Sequence, residues 1–236
     1  MSENIKKIMK AFMADLDSRE NQSILKPSAR PFNNQAYQVN EVPKKIVEKI
    51  YKLIEGTKHS NDDIILNHNK IKEAFFSPFE PQLKDAKVFL SHSHADKNKA
   101  LKVKNYLEED LDAECVFIDS LFWDYKDNIM KEMSKYDNTS KIEDAFTLIL
   151  RESLQDMIEK CPYFVFLKSK NSVSDQELSR ITYSAWIYEE LKIAHSIRES
   201  RPTPMMESWQ VFHDISPFLE NLETITLKEL SQQINS

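Results

Sequence analysis

The sequence predicts an α/β protein in which a parallel sheet is flanked by helices, with a helical extension ahead of it. Three observations carry that expectation. A short apolar run, an amphipathic stretch and a second apolar run follow one another between residues 87 and 119, the pattern of a βαβ unit. A third apolar run, Tyr163-Phe-Val-Phe-Leu167, arrives after another helical stretch. Before residue 87 the apolar residues recur only at helical spacing.

The elements can be justified in order. In residues 2–19, Ile5, Ile8, Met9, Phe12, Met13 and Leu16 fall at helical spacing and predict an amphipathic helix. A polar, proline-containing linker spans 21–43. Pro43 suits the first turn of a second helix, whose Ile46, Val47, Ile50, Tyr51, Leu53 and Ile54 face one way until Gly56 offers a C-cap. Asn61, Asp62 and Asp63 open a third helix that Pro78 should stop. Residues 1–84 therefore read as a helical N-terminal extension that packs on the main domain, with a separate partner-sensing module as the alternative, and residues 85–236 as the α/β domain.

Within that domain, residues 87–91 form the first buried strand, and residues 96–111 a helix with Ala100, Val103 and Leu107 inward. Residues 115–119 form the second strand. Residues 120–144 are polar with aromatic insertions, and connections of that length are usually functional or mobile. A helix over 142–160 leads to the third strand. The helix around Glu190 comes next, then strands near 210–213 and 224–226 and a terminal helix.

Composition excludes several classes of function. The 32 basic and 38 acidic side chains give a formal charge of −6, mixed along the chain, which argues against nucleic acid as the main partner. No apolar run approaches the roughly 20 residues that span a bilayer, and the start has no signal-peptide core, so a cytoplasmic protein without membrane contact is expected. Cys115 and Cys161, both inside apolar runs, read as reduced core thiols. Gly56 is the single glycine, where average usage of about 7% predicts around 16. Glycine-rich phosphate cradles, the P-loop and the G-x-G-x-x-G fingerprint alike, are thereby excluded.

Glu190 is the residue most out of place. At about 100° per residue, Tyr183, Trp186, Ile187, Leu191, Ile193, Ala194 and Ile197 share one arc of their helix, and Glu190 lies inside it. An unpaired buried carboxylate costs several kcal/mol or neutralises, so the position needs a reason. Either a basic side chain from a neighbouring element holds it, or it lines a cleft and does chemistry. Trp186 stands one turn ahead on the same face, an aromatic wall beside a carboxylate.

Two other segments bear polar groups at strand ends. His92-x-His94-x-Asp96 is most of a zinc-hydrolase motif, but Lys97 stands where the next histidine belongs, and His195 and His213 are badly spaced. No metal site is expected. Ser91 to Asp96 reads better as the turn at the carboxyl end of a parallel strand, where ligands of open α/β sheets sit, with Asp96 capping the next helix. Asp119-Ser120 leads into Phe122, Trp123, Asp124 and Tyr125, aromatics that either stack on a flat heterocycle or anchor the loop to the core.

Three segments together, Lys87-Val-Phe-Leu-Ser-His-Ser-His-Ala-Asp-Lys97, Val116-Phe-Ile-Asp-Ser120 and Ser184-Ala-Trp-Ile-Tyr-Glu-Glu190, resemble consecutive blocks of Toll/interleukin-1 receptor (TIR) domains, particularly the bacterial type used in anti-phage defence. The resemblance covers residues 86 to the C-terminus. It implies a flavodoxin-like parallel sheet and, in the enzymatic members, cleavage of NAD as substrate with no further cofactor. The family's catalytic glutamate, last in a Trp-x-x-x-Glu segment, matches Glu190, with Trp186 its tryptophan and Glu189 one step away on the polar side. Ser91 and His92 match part of the nucleotide pocket, and Ser120, Trp123 and Tyr125 belong to the family's loop after the second strand. Self-association or contact with other TIR domains, and a downstream effector that reads the nucleotide product, are the partners it implies. The insert before Tyr163 and the N-terminal helices depart from the family core.

The chemistry suits one carboxylate. NAD carries a cationic pyridinium leaving group, so its N-glycosidic bond breaks without a general acid, and Glu190 would balance charge on the ribose as glycosidase carboxylates do. Water gives ADP-ribose; an adenine nitrogen or another base gives a cyclic or exchanged product. A non-catalytic TIR-type interaction module and a nucleoside N-glycosidase or deoxyribosyltransferase are the competing expectations.

Overall fold

A computed structural model describes residues 9–25, 48–49, 52, 68–76, 84–111, 116–120, 131, 140–176, 179–199 and 213–235. Five strands form an all-parallel sheet: β1 (Lys10–Asp15), β2 (Val88–Ser91), β3 (Val116–Ile118), β4 (Tyr163–Lys168) and β8 (Glu223–Thr224), in the order β3-β2-β4-β1-β8. Between them run α1 (Arg19–Ile24), α2 (His68–Phe76), α3 (Lys97–Leu111), α4 (Ser140–Lys160), α5 (Ala185–Glu199), α6 (Ser216–Leu219) and α7 (Leu227–Asn235). A small antiparallel sheet, β5 (Ser174–Gln176), β6 (Ser179–Thr182) and β7 (His213–Asp214), precedes and follows α5. The α/β class with a parallel sheet and flanking helices is thus present.

The N-terminal helix expected over 2–19 is not. Where the structure describes that stretch it holds β1, paired in parallel with β4 from Lys10↔Tyr163 to Asp15↔Lys168 and with β8 at Phe12↔Glu223 and Met13↔Thr224. The reason is burial on both faces. Ala11, Phe12, Met13 and Ala14 are all buried, and a strand inside a parallel sheet reads as a continuous apolar run rather than an alternating one. Such a run also satisfies helical spacing, and Ala and Met favour helix, so tertiary pairing overrides propensity here. The stretch assigned to a separate extension therefore supplies a central strand. Helix α2 belongs to the same core through Ile71 and Ala74, and Lys72 pairs with Asp156 of α4 at 2.7 Å. The helix expected over 43–56 lies largely outside the described residues.

From β2 through β4 the predicted order holds, and it sets the site. The chain leaves β2 through α3 to β3 on one side, then crosses back through α4 to β4 on the other. Right-handed crossovers in opposite directions place α3 and α4 on opposite faces, so α3 groups with α7 while α4 groups with α2 and α5. The carboxyl ends of β2 and β4 thus flank the point where the winding reverses, the usual ligand crevice of such sheets. Phe89 stacks between Phe117 and Phe164, centroids 5.8 and 5.9 Å away, which fixes β2 between its neighbours. Among the described residues no helix is long and apolar enough to cross a membrane.

Cys161, between α4 and β4, is 1% exposed, and burial pushes its thiol up to about 12. Cys115 lies outside the described residues. Because the thiolate is the reactive form, iodoacetamide at pH 8 is expected to modify Cys161 only as fast as the fold opens. Mass spectrometry of alkylation with and without urea checks this, and rapid labelling of the native chain would contradict it.

Candidate functional site

Ser91 ends β2 with its Cα in register with Phe166 of β4. Helix α5 begins where the Ser184 hydroxyl accepts a hydrogen bond from the Ile187 amide at 3.2 Å, the contact expected of a capping serine. That start point sets the helix rotation, turning Ile187, Leu191 and Ala194 into the core. Glu190 turns with them and is 0% exposed. Its Oε2 accepts a hydrogen bond from Ser91 Oγ at 2.5 Å. Two side chains that the sequence singled out separately thus meet at the winding reversal.

Glu189 behaves differently. Its carboxylate meets the Arg151 guanidinium of α4 at 2.5 Å and Lys192 at 4.0 Å, so the ion pair that ties α4 to α5 is made by the carboxylate on the polar side. Trp186 is half-buried one turn ahead of Glu190.

His92 and Asp119 form a second contact at the same edge. The His92 amide donates to Asp119 Oδ2 at 3.1 Å, and Nδ1 of the ring lies against Oδ1 of the same carboxylate in an approach not aligned as a hydrogen bond. Both side chains are almost wholly buried, and so is Ser120. Among the described residues, His92 Nε2 and Ser120 Oγ have no hydrogen-bond partner. An unsatisfied buried polar atom costs about 1–3 kcal/mol, and His92 Nδ1 and Asp119 Oδ1 are unsatisfied as well, so this concentration on a contacting pair and the residue that follows Asp119 calls for a reason. His94, by contrast, is exposed, so the two histidines of the His-x-His motif do not converge. Among the described residues no group of three or more His, Cys, Asp or Glu is arranged to hold a metal ion. Trp123 and Tyr125 lie outside the described residues.

Asp96, expected as a helix cap, closes a 3-10 turn (His94–Asp96) and reaches across to the exit of β4. It accepts from Ser169 Oγ at 2.5 Å and from Asn171 Nδ2 at 3.0 Å, and Lys99 lies 3.3 Å away. Lys99 also reaches Asp17 beyond β1 at 3.2 Å. The Lys170 amide, donating at 3.0 Å, holds the Asp17 carboxyl below its ordinary value. This network joins the exits of β1, β2 and β4. Sequence reasoning found neither it nor Asp119 as the partner of His92; an acid directly after an apolar strand was the available signal. Asp96→Ala removes a 2%-exposed carboxylate and orphans its donors, so a loss of about 3 kcal/mol is expected in urea unfolding. A loss under about 1 kcal/mol would show that the network contributes little.

The chain matches no protein-family model, no curated protein and no solved structure.

Proposed function

We propose that the chain is a TIR-type NAD glycohydrolase or cyclase, acting in bacterial anti-phage defence, that breaks the nicotinamide N-glycosidic bond and leaves ADP-ribose or a cyclic ADP-ribose-type signal. The observation that carries this reading is the fully buried Glu190 carboxylate held against Ser91 at the winding reversal of the sheet. The three TIR-like sequence blocks that contain these residues support it further.

The chemistry follows from the carboxylate's position. As the C1′–N bond lengthens, positive charge moves from the pyridinium onto the ribose, and nicotinamide leaves as a neutral base. A negative charge fixed beside C1′ in a site of low dielectric stabilises that oxocarbenium-like state far more than in water. Ser91 orients the carboxylate. Trp186 walls the pocket, His92 and Ser120 offer polar contacts to the nucleotide, and Trp123 and Tyr125 stack on its rings.

With Glu190 at 0% exposure, substrate reaches it only after the surrounding side chains part. Assembly with another copy, or with another TIR domain, is the natural source of that opening. The test is nicotinamide release from NAD by the purified full chain, dilute and then concentrated with a crowding agent, with mass spectrometry of the products. No release in either condition, or release only from nucleosides, would defeat the proposal.

A further inference from the structure

We propose that His92, held by Asp119, is the proton acceptor for the nucleophile that captures the ribosyl cation, and that this dyad selects which products form. The inference rests on the proposed NAD cleavage and extends it to the second half of the reaction.

Two features of the dyad carry the argument. Asp119 holds His92 through its backbone amide, and Oδ1 of the same carboxylate lies against Nδ1 of the ring without hydrogen-bond alignment. A carboxylate beside Nδ1 favours the proton on that nitrogen by charge, which leaves the lone pair on Nε2. That atom is buried and has no partner among the described residues, so its acceptor capacity is open to a nucleophile's proton. Its location is equally specific. Residue 92 follows Ser91, whose hydroxyl touches Glu190, so the His92 backbone adjoins that contact while its ring is held at Asp119 beyond β3.

The reaction needs such a group. When the C1′–N bond breaks, its electron pair stays with nicotinamide. Water then forms a C1′–O bond through an oxygen lone pair, and one of its protons must leave; it passes to Nε2 of His92 and from there to solvent. A ribose hydroxyl attacking C1′ sheds its proton the same way. A ring nitrogen, such as that of an added pyridine, attacks with a lone pair and has no proton to lose. Hydrolysis and closure through a hydroxyl therefore depend on His92, whereas base exchange does not. Asp119 is a positioning residue in this scheme, acting through the imidazole it orients.

The experiment measures both fates in one mixture: full-length protein, NAD and 3-acetylpyridine, with ADP-ribose, nicotinamide and the exchanged dinucleotide quantified together. In His92→Gln and Asp119→Asn, the ratio of hydrolysis to exchange is expected to fall on the order of 100-fold, as for loss of a general base, whatever weaker nucleotide binding takes from both fates together. Circular dichroism confirms folding of the variants. Should either variant not fold, wild-type protein labelled with 15N-histidine gives a second reading. The His92 signal, assigned by its absence from His92→Gln or by its contact with Asp119, is expected to show the Nδ1–H tautomer, and the reverse tautomer overturns the assignment. Equal loss of hydrolysis and exchange means a structural role and also overturns it. Wild-type protein that releases no nicotinamide defeats the NAD reading and this inference together, whereas active wild type with an unchanged product ratio in the variants defeats this inference alone.

Discussion

Glu190→Gln is expected to lower nicotinamide release from NAD on the order of 1,000-fold or more while the protein still folds. Glutamine has nearly the same volume, and its side-chain carbonyl can still accept the Ser91 hydroxyl that Glu190 Oε2 accepts at 2.5 Å. Packing among Ile187, Leu191 and Ala194 is therefore kept, and the melting temperature should stay within a few degrees of wild type. What disappears is the negative charge. Fixed charge aimed at a developing cation in a site closed to water is the largest single contribution to many enzymatic rates, and loss of one such group costs about 10²–10³-fold even where others remain. In the proposed mechanism one carboxylate carries the role, so the larger figure applies. Glu189→Gln is the control. Glu189 pairs with Arg151 and Lys192 on the polar side of the same helix, so its loss should leave turnover within about threefold. The comparison requires kcat at saturating NAD with folding verified for each variant. A Glu190→Gln protein as active as wild type would remove Glu190 from the chemistry, and a Glu189 variant that alone is dead would move the role by one residue.

How far the sequence showed this arrangement depends on the range of the interactions involved. Strands β2, β3 and β4 and helices α3, α4 and α5 were legible because each carries its own periodicity, and the βαβ order then dictates the winding. Glu190 was legible as an acid within an apolar arc, a purely local contradiction. Its contact with Ser91 was not, because the residues lie 99 apart in the chain. Nor was the Asp119 grip on His92, at a separation of 27, although both residues stood out as polar groups at strand ends. The small sheet was missed for a different reason. Ser174–Gln176 and Ser179–Thr182 are short and mostly polar, so they show no alternation, and their pairing depends on β7 arriving from beyond α5. Residues 10–15 were misread because Ala-Phe-Met-Ala fits a helix face and a doubly covered strand equally well. The neighbouring strands that decide between them lie more than 150 residues downstream.

Phe12 offers the sharpest test of that last correction, and Phe12→Ala is expected to destabilise the protein by about 3–5 kcal/mol. As part of a peripheral amphipathic helix, Phe12 would contribute about a third of that, and its loss would spare the α/β core. In β1 it is 2% exposed, its ring stacks on Tyr163 with centroids 6.4 Å apart, and its strand has β4 on one side and β8 on the other. Truncation opens a cavity that flanking backbone cannot close, because both neighbours are fixed by ladder hydrogen bonds. The damage should reach the site. Just beyond β1, Asp17 accepts the Lys170 amide and meets Lys99, which in turn meets Asp96, so loosening β1 loosens the β4 exit that borders the crevice. Phe12→Leu, which keeps most of the volume, should recover more than half of the loss. Urea unfolding of both variants, with Phe89→Ala as a reference from the undisputed strand β2, measures the effect on one scale. If Phe12→Ala costs under about 1 kcal/mol while Phe89→Ala costs several, β1 is not a central strand and the five-stranded order is wrong.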